Sequence, residues 1–184
     1  MDRKCLVILS LIVSGLFLTL PGRSQERTIG IKTNTLYWGA LTPNLGVEMS
    51  IGRKLSLDVS GMYAPWTFKD NKKYLGWAIQ PELRFWCCQA FTRHYIGVHY
   101  HYARYNIGQE MYRRDGHLMG GGISYGYIWV INDRWNLDFN VGVGYARLEY
   151  DKFVQECNMK IAERSRNYWG PTKLGVTFVY KIHY

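Results

Sequence analysis

Apolar and polar side chains alternate with a period of two along most of the chain from Ile29 onward, the spacing at which one face of a β-strand recurs. Helical spacing is weak throughout, and only residues 155–164 read as a candidate helix. The alternation predicts eight strands, over residues 29–37, 43–51, 55–63, 75–86, 94–106, 117–131, 135–150 and 170–184. Short connections at 52–54, 87–93 and 132–134 alternate with longer, more polar ones at 64–74, 107–116 and 151–169, and the first connection, 38–42, is modest. Short turns on one rim and long loops on the other mark an antiparallel barrel of an outer membrane. The expected fold class is therefore all-β, an eight-stranded antiparallel up-and-down transmembrane β-barrel with both termini on the periplasmic, short-turn side.

The two faces differ in kind. One set, including Leu45, Val47, Met49, Leu57, Val59, Trp77, Ile79, Leu83, Phe139, Val141 and Val143, is apolar and bulky. The other, including Gly46, Ser50, Ser56, Ser60, Ala78, Gln80, Gly97, Ala103, Asn136, Asn140 and Gly142, is small and polar. Alternation alone fits a membrane barrel, apolar outside, or a lipocalin-like soluble barrel, apolar inside. A water-facing surface would be rich in Lys and Glu, whereas small polar residues suit the narrow bore of eight strands, so the bulky face is expected to meet lipid. The expected lumen holds Glu48, Asp58, Glu82 and Asp138 against Lys32, Arg84, Lys173 and Lys181, a balanced set, with His99 and His101 completing the polar network. An ion-selective pore would favour one sign, so a packed plug is expected. Aromatic residues fall toward two rims: Tyr37, Trp38, Tyr63, Trp66, Trp77, Tyr102, Tyr105, Tyr145, Tyr150 and Trp169 at one, and Phe85, Trp86, Phe91, Tyr95, Trp129, Trp135, Tyr180 and Tyr184 at the other.

The ends add an address. Arg3 and Lys4 precede an apolar run of about 15 residues, where a spanning helix needs about 20, and small residues follow at the positions a signal peptidase reads. Residues 1–24 are thus expected to be a signal peptide and residues 25–184 the barrel domain, located in the outer membrane. At the other end Leu174, Val176, Phe178, Tyr180, Ile182 and Tyr184 share the lipid face, and Phe178, Tyr180, Ile182 and Tyr184 form the expected signal for the barrel-assembly machinery. The net charge of +9 is scattered rather than clustered, which argues against nucleic acid and toward lipopolysaccharide and lipid headgroups as counter-charge. Cys87, Cys88 and Cys157 remain after signal removal, an odd set that reads neither as a disulfide framework nor as a metal site, and no cofactor is expected.

Candidate chemistry centres on "RHYIGVHYHYARY", where His99 and His101 share a face and could act with Glu48 or Glu82 as metal ligands or a base. A hydrogen-bonded lumen pair is the preferred reading, because no third ligand stands at a telling spacing. Lipid A-modifying barrel enzymes pair a His with a Ser, and no His-x-Ser occurs here. Such an enzyme is the first alternative and a secreted soluble ligand-binding barrel the second. Gly120-Gly121-Gly122 opens a strand rather than a helix and reads as a bend or a tightly packed stretch, not a phosphate cradle. Loops 107–116 and 151–169 are the expected contact surface for a surface or fimbrial protein, with the excess length of strands five to seven projecting as a sheet that offers an edge to a partner strand.

The stretches "IGIKTNTLYWGALTPNLGVEMSIGRKLSLDVSG", "WAIQPELRFW" and "WGPTKLGVTFVYKI" resemble the DUF3575 family, through Lys32-Thr33-Asn34, Thr42-Pro43-Asn44, Glu48 and Pro81-Glu82-Leu83-Arg84. The resemblance implies an exported small outer-membrane barrel of Gram-negative bacteria, and the placing of some relatives beside fimbrial components implies a role in envelope structure, adhesion or fibre assembly. It brings no catalytic residues.

Overall fold

The computed structural model describes residues 28–67, 73–109, 112–154 and 159–183. The expected signal peptide, Cys157 and the terminal Tyr184 lie outside them. Eight strands follow in order: β1 Thr28–Asn34, β2 Asn44–Gly52, β3 Leu55–Thr67, β4 Lys73–Trp86, β5 Arg93–Gln109, β6 Tyr112–Val130, β7 Trp135–Val154 and β8 Met159–His183. Each pairs antiparallel with its neighbours, and β8 pairs with β1 from Thr28↔His183 to Asn34↔Thr177, so the sheet closes into a barrel. Gly30 pairs with Lys181, yet the lateral row through Glu48, Asp58, Glu82, His99, Gly122 and Gly144 meets β8 at Gly170. Those eleven positions (170 to 181) are the stagger that tilts the strands, with a bulge near Thr172 included. The upper rim therefore climbs around the barrel, and β8, at 25 residues, stands highest.

The structure departs from these expectations at several points, residues 64–67 and 73–74 being strand rather than loop among them. β1 stops at Asn34 rather than running to Tyr37, because a short helix, α1 (Thr35–Gly39), begins there. The Asn34 carboxamide accepts from the Leu36 N–H at 3.1 Å, and Asn44 brackets the turn, accepting from the Asn34 N–H (2.7 Å) and donating to the Asn34 carbonyl (2.9 Å). Residues 107–109 and 112–116, and 151–154 and 159–169, are strand rather than loop, and the candidate helix at 155–164 is strand from Met159 onward. Finally, Trp86, Phe91 and Tyr95 point into the bore instead of joining the lower aromatic rim. Turn 87–92 tucks Phe91 beneath β1, where a Cβ on Gly30 would lie 2.7 Å from its ring, and Tyr95 lies over Gly126. With Ile128 and Val179 these rings make an apolar floor, Trp86 packing 4.8 Å from Tyr95 and 6.0 Å from Phe91.

Outside, the register leaves a continuous apolar band. Leu45, Val98, Ile123, Val141 and Leu174 are each about half exposed or more, Leu45 at 62%. Above and below stand aromatic pairs, Tyr145 with Trp169 and Trp135 with Tyr180, ring centroids 5.1 and 5.0 Å apart. The rise from Trp135 to Tyr145 is roughly 33 Å of strand, or about 25 Å of height at a tilt of about 40°. Between the two rows, the outward positions of the described residues carry no Asp, Glu, Lys or Arg.

Candidate functional site: an ion-pair network in the lumen

Inward alternation on β2, β3 and β4 places Glu48, Asp58 and Glu82 side by side in one lateral row, which would repel without cations between them. Arg84, two residues beyond Glu82 on the same face, supplies the central one. Its Nε donates to Glu82 Oε2 (2.6 Å), Nη1 to Glu48 Oε2 (2.9 Å) and Asp138 Oδ2 (3.0 Å), and Nη2 to Asp58 Oδ2 (3.0 Å). One guanidinium thus binds four carboxylates, lying 4.3 Å above the Tyr95 ring, in a geometry lysine could not match. Lys32 Nζ donates to Glu48 (2.8 Å) and Asp58 (3.2 Å), and Lys173 Nζ donates to Glu82 (2.6 Å). Hydroxyls satisfy what remains: Ser56 donates to Glu48 (2.5 Å), Ser124 to Glu82, and Tyr95 to Asp138 (3.0 Å). All seven charged side chains are at least nine-tenths buried.

Lys181 does not join them. It keeps the inward register but sits half-buried at the lower rim, where its backbone N–H donates to Arg134 carbonyl at 2.7 Å and its charge faces Asp133. The expected balance of four against four therefore becomes four carboxylates against three cations in the buried cluster among the described residues.

His99 and His101 form the next layer, their rings 5.8 Å apart between centroids. His99 Nε2 lies 2.9 Å from Thr172 Oγ1, a residue brought inward by the β8 bulge that alternation did not reveal. Glycines make room for both rings: a Cβ at Gly120 would sit 2.8 Å from His101 Nε2, and one at Gly142 would sit 3.0 Å from His99 Cε1. Beside this layer a cavity of about 30 Å³, lined by Asp58, Ser60, Gln80, Asn140 and Thr177 and bordered by Tyr37 of α1, has room for about two waters.

His99 and Thr172 place an imidazole beside a hydroxyl in the lumen, the pairing a nucleophile and base would need. Among the described residues no side chain hydrogen-bonds the buried His99 Nδ1, the atom that a third catalytic group would orient. His94, by contrast, lies outside, 2.7 Å from Tyr125 Oη, and takes no part in the lumen. Cys87 and Cys88 are exposed on the turn beside the floor. No helix among the described residues is long and apolar enough to cross a membrane.

A family model described as "Protein of unknown function (DUF3575)" matches residues 7–182. The chain belongs to the DUF3575 family. Comparison with curated proteins and with solved structures returns no match. The short motifs that carried the resemblance to DUF3575 have distinct physical jobs in this chain. Lys32, Glu48, Glu82 and Arg84 build the ion-pair network, while Asn34 and Asn44 fold the turn that covers it.

Proposed function

We propose that this DUF3575 chain is a non-enzymatic outer-membrane barrel whose filled lumen makes it a rigid anchor for a surface interaction. The observation that carries the reading is its polarity: charges are buried inside the wall, and an uncharged apolar band about 25 Å tall is exposed outside it. In water that band would be an apolar patch far larger than soluble proteins leave uncovered; in a bilayer it is the required surface. The N-terminal apolar segment supplies the export signal, and the last strand, with Phe178, Tyr180 and Ile182 on the lipid face, supplies the segment for the barrel-assembly machinery. Lipopolysaccharide surrounds the upper belt, and no cofactor is required. A sealed, ion-paired bore suits envelope structure or adhesion, with a fimbrial or other surface protein as partner, better than conduction.

Val141→Arg tests this, since Val141 lies near the middle of the band and is 49% exposed. In lipid vesicles the substitution should cost about 2–4 kcal/mol of unfolding free energy, as expected for Arg at a bilayer midplane. A change within about 0.5 kcal/mol, typical of a water-facing position, would contradict the reading.

A further inference from the structure

Above the upper aromatic row the strands leave the barrel's closed part. β1 and β2 end at Asn34 and Asn44, while β8 continues to Met159 with β7 on one side only. Up to Leu174 its second edge is covered, because Asn34 Nδ2 donates to the Leu174 carbonyl (3.1 Å) and Thr35 Oγ1 to the Val176 carbonyl (2.9 Å). From Lys173 to Met159 no strand pairs with that edge among the described residues, which leaves roughly 50 Å of strand at about 3.3 Å per residue. Residues 164–169 are exposed without interruption, Trp169 at 78%.

The described carboxylates of this sheet stand on one face, whereas its cations stand on both. The register puts Arg114, Lys152, Arg164 and Arg166 on the concave side that continues the lumen, among Tyr105, Tyr150 and Tyr168. Asp115, Glu149 and Asp151 stand on the convex side, where Glu149 meets Arg147 at 2.7 Å and His117 at 3.3 Å. Among the described side chains the concave face of the projecting sheet carries no carboxylate.

We infer that the upper edge of β8 receives an extended segment of a partner protein as an added strand, with acidic side chains at alternate positions lying against Arg164 and Arg166. The inference rests on the surface-anchor reading and names its partner's chemistry. Unpaired backbone groups supply affinity along the edge, and the two arginines, next to each other on one face at the strand period, select the sign of charge. A second copy of this chain fits poorly, because its own β8 would bring arginines against arginines. An acidic polysaccharide would meet the arginines and tyrosines but could not complete the ladder.

The test uses the full mature chain folded in detergent and a fluorescent nine-residue peptide of alternating Thr and Glu, compared with its Thr–Lys counterpart and with a Thr–Glu peptide N-methylated on alternate amides. The Thr–Glu peptide should bind about tenfold more tightly than either control, and Arg164→Glu with Arg166→Glu should reverse the charge preference. Equal binding of the N-methylated peptide, equal displacement of the probe by polygalacturonate, or saturation of the edge by self-association would each overturn the inference. The arginines are exposed, so the double variant should keep the wild-type heat-dependent gel mobility. A barrel that keeps that mobility and the lipid sensitivity of Val141 but ignores the peptide refutes strand addition alone, leaving the anchor reading standing.

Discussion

Replacing Arg84 with methionine should cost about 3–5 kcal/mol, the penalty for removing one partner from a buried ion-pair network. The reason lies in how many groups depend on one side chain. Its three nitrogens donate to Glu48, Asp58, Glu82 and Asp138, and all four carboxylates are almost completely buried. Without it, Lys32 and Lys173 are left to hold four acids. Arg84→Lys should recover little, since a single ammonium cannot reach the same four oxygens. Carboxylate removal should behave differently. The cluster already has one more acid than base, so Asp58→Asn brings it to charge equality while keeping a side chain of the same shape, and its cost should be clearly smaller than that of Arg84→Met. Urea unfolding in micelles, followed by tryptophan fluorescence, measures both. Equal losses for the two variants would mean that the excess negative charge plays no part in stability.

A single methyl group at Gly122 should be nearly as damaging. Gly122 faces Gly144 across β6 and β7, and a Cβ there would fall on the Val143 carbonyl and 2.7 Å from the Gly144 Cα. Those are backbone atoms, which cannot rotate aside as a side chain would. Gly144 meets the Gly121 carbonyl and the Gly122 Cα in the same way. Gly122→Ala should therefore cost at or above the upper end of the 1–3 kcal/mol typical of overpacking, about 3 kcal/mol, by prising the β6–β7 ladder apart. Gly61→Ala is the matched control: its added Cβ would find its nearest atoms 3.9 Å away, and its effect should stay below about 1 kcal/mol. Denaturant midpoints of the two variants, measured side by side, decide the matter, and a Gly122→Ala protein as stable as Gly61→Ala would refute the close approach.

What alternation can reveal depends on a difference between the two faces of a strand. Where one face is bulky and apolar and the other lines a polar lumen, the period of two is strong, and the inward positions of Glu48, Asp58, Glu82, Arg84, His99, His101, Asp138 and Lys173 follow from it. In the projecting sheet both faces meet water. Arg114 and Asp115, or Tyr150 and Asp151, then alternate by charge rather than by hydrophobicity, so residues 107–116 and 151–169 look like loops although backbone pairing makes most of them strand. Height is equally hidden. Lys181 has the inward parity of Lys173 but lies eight residues lower (173 to 181), too far to share the cluster. The inward turn of Phe91 and the helix after Asn34 escaped for a different reason. Each is set by a partner distant in sequence, Gly30 for the phenylalanine and Asn44 for the asparagine, while the local pattern of aromatic and aliphatic residues continues undisturbed. Thr172 reaches His99 only because a bulge shifts the register of β8, and nothing but Gly170-Pro171 beside it hints at an irregular strand.

The central claim is that the apolar band lies in an outer membrane, and fractionation of cells on a density gradient tests it most directly. The protein should sediment with the outer membrane, resist a carbonate wash, and migrate faster on a denaturing gel before boiling than after. Recovery in the soluble periplasmic fraction, with the same mobility before and after boiling, would contradict it.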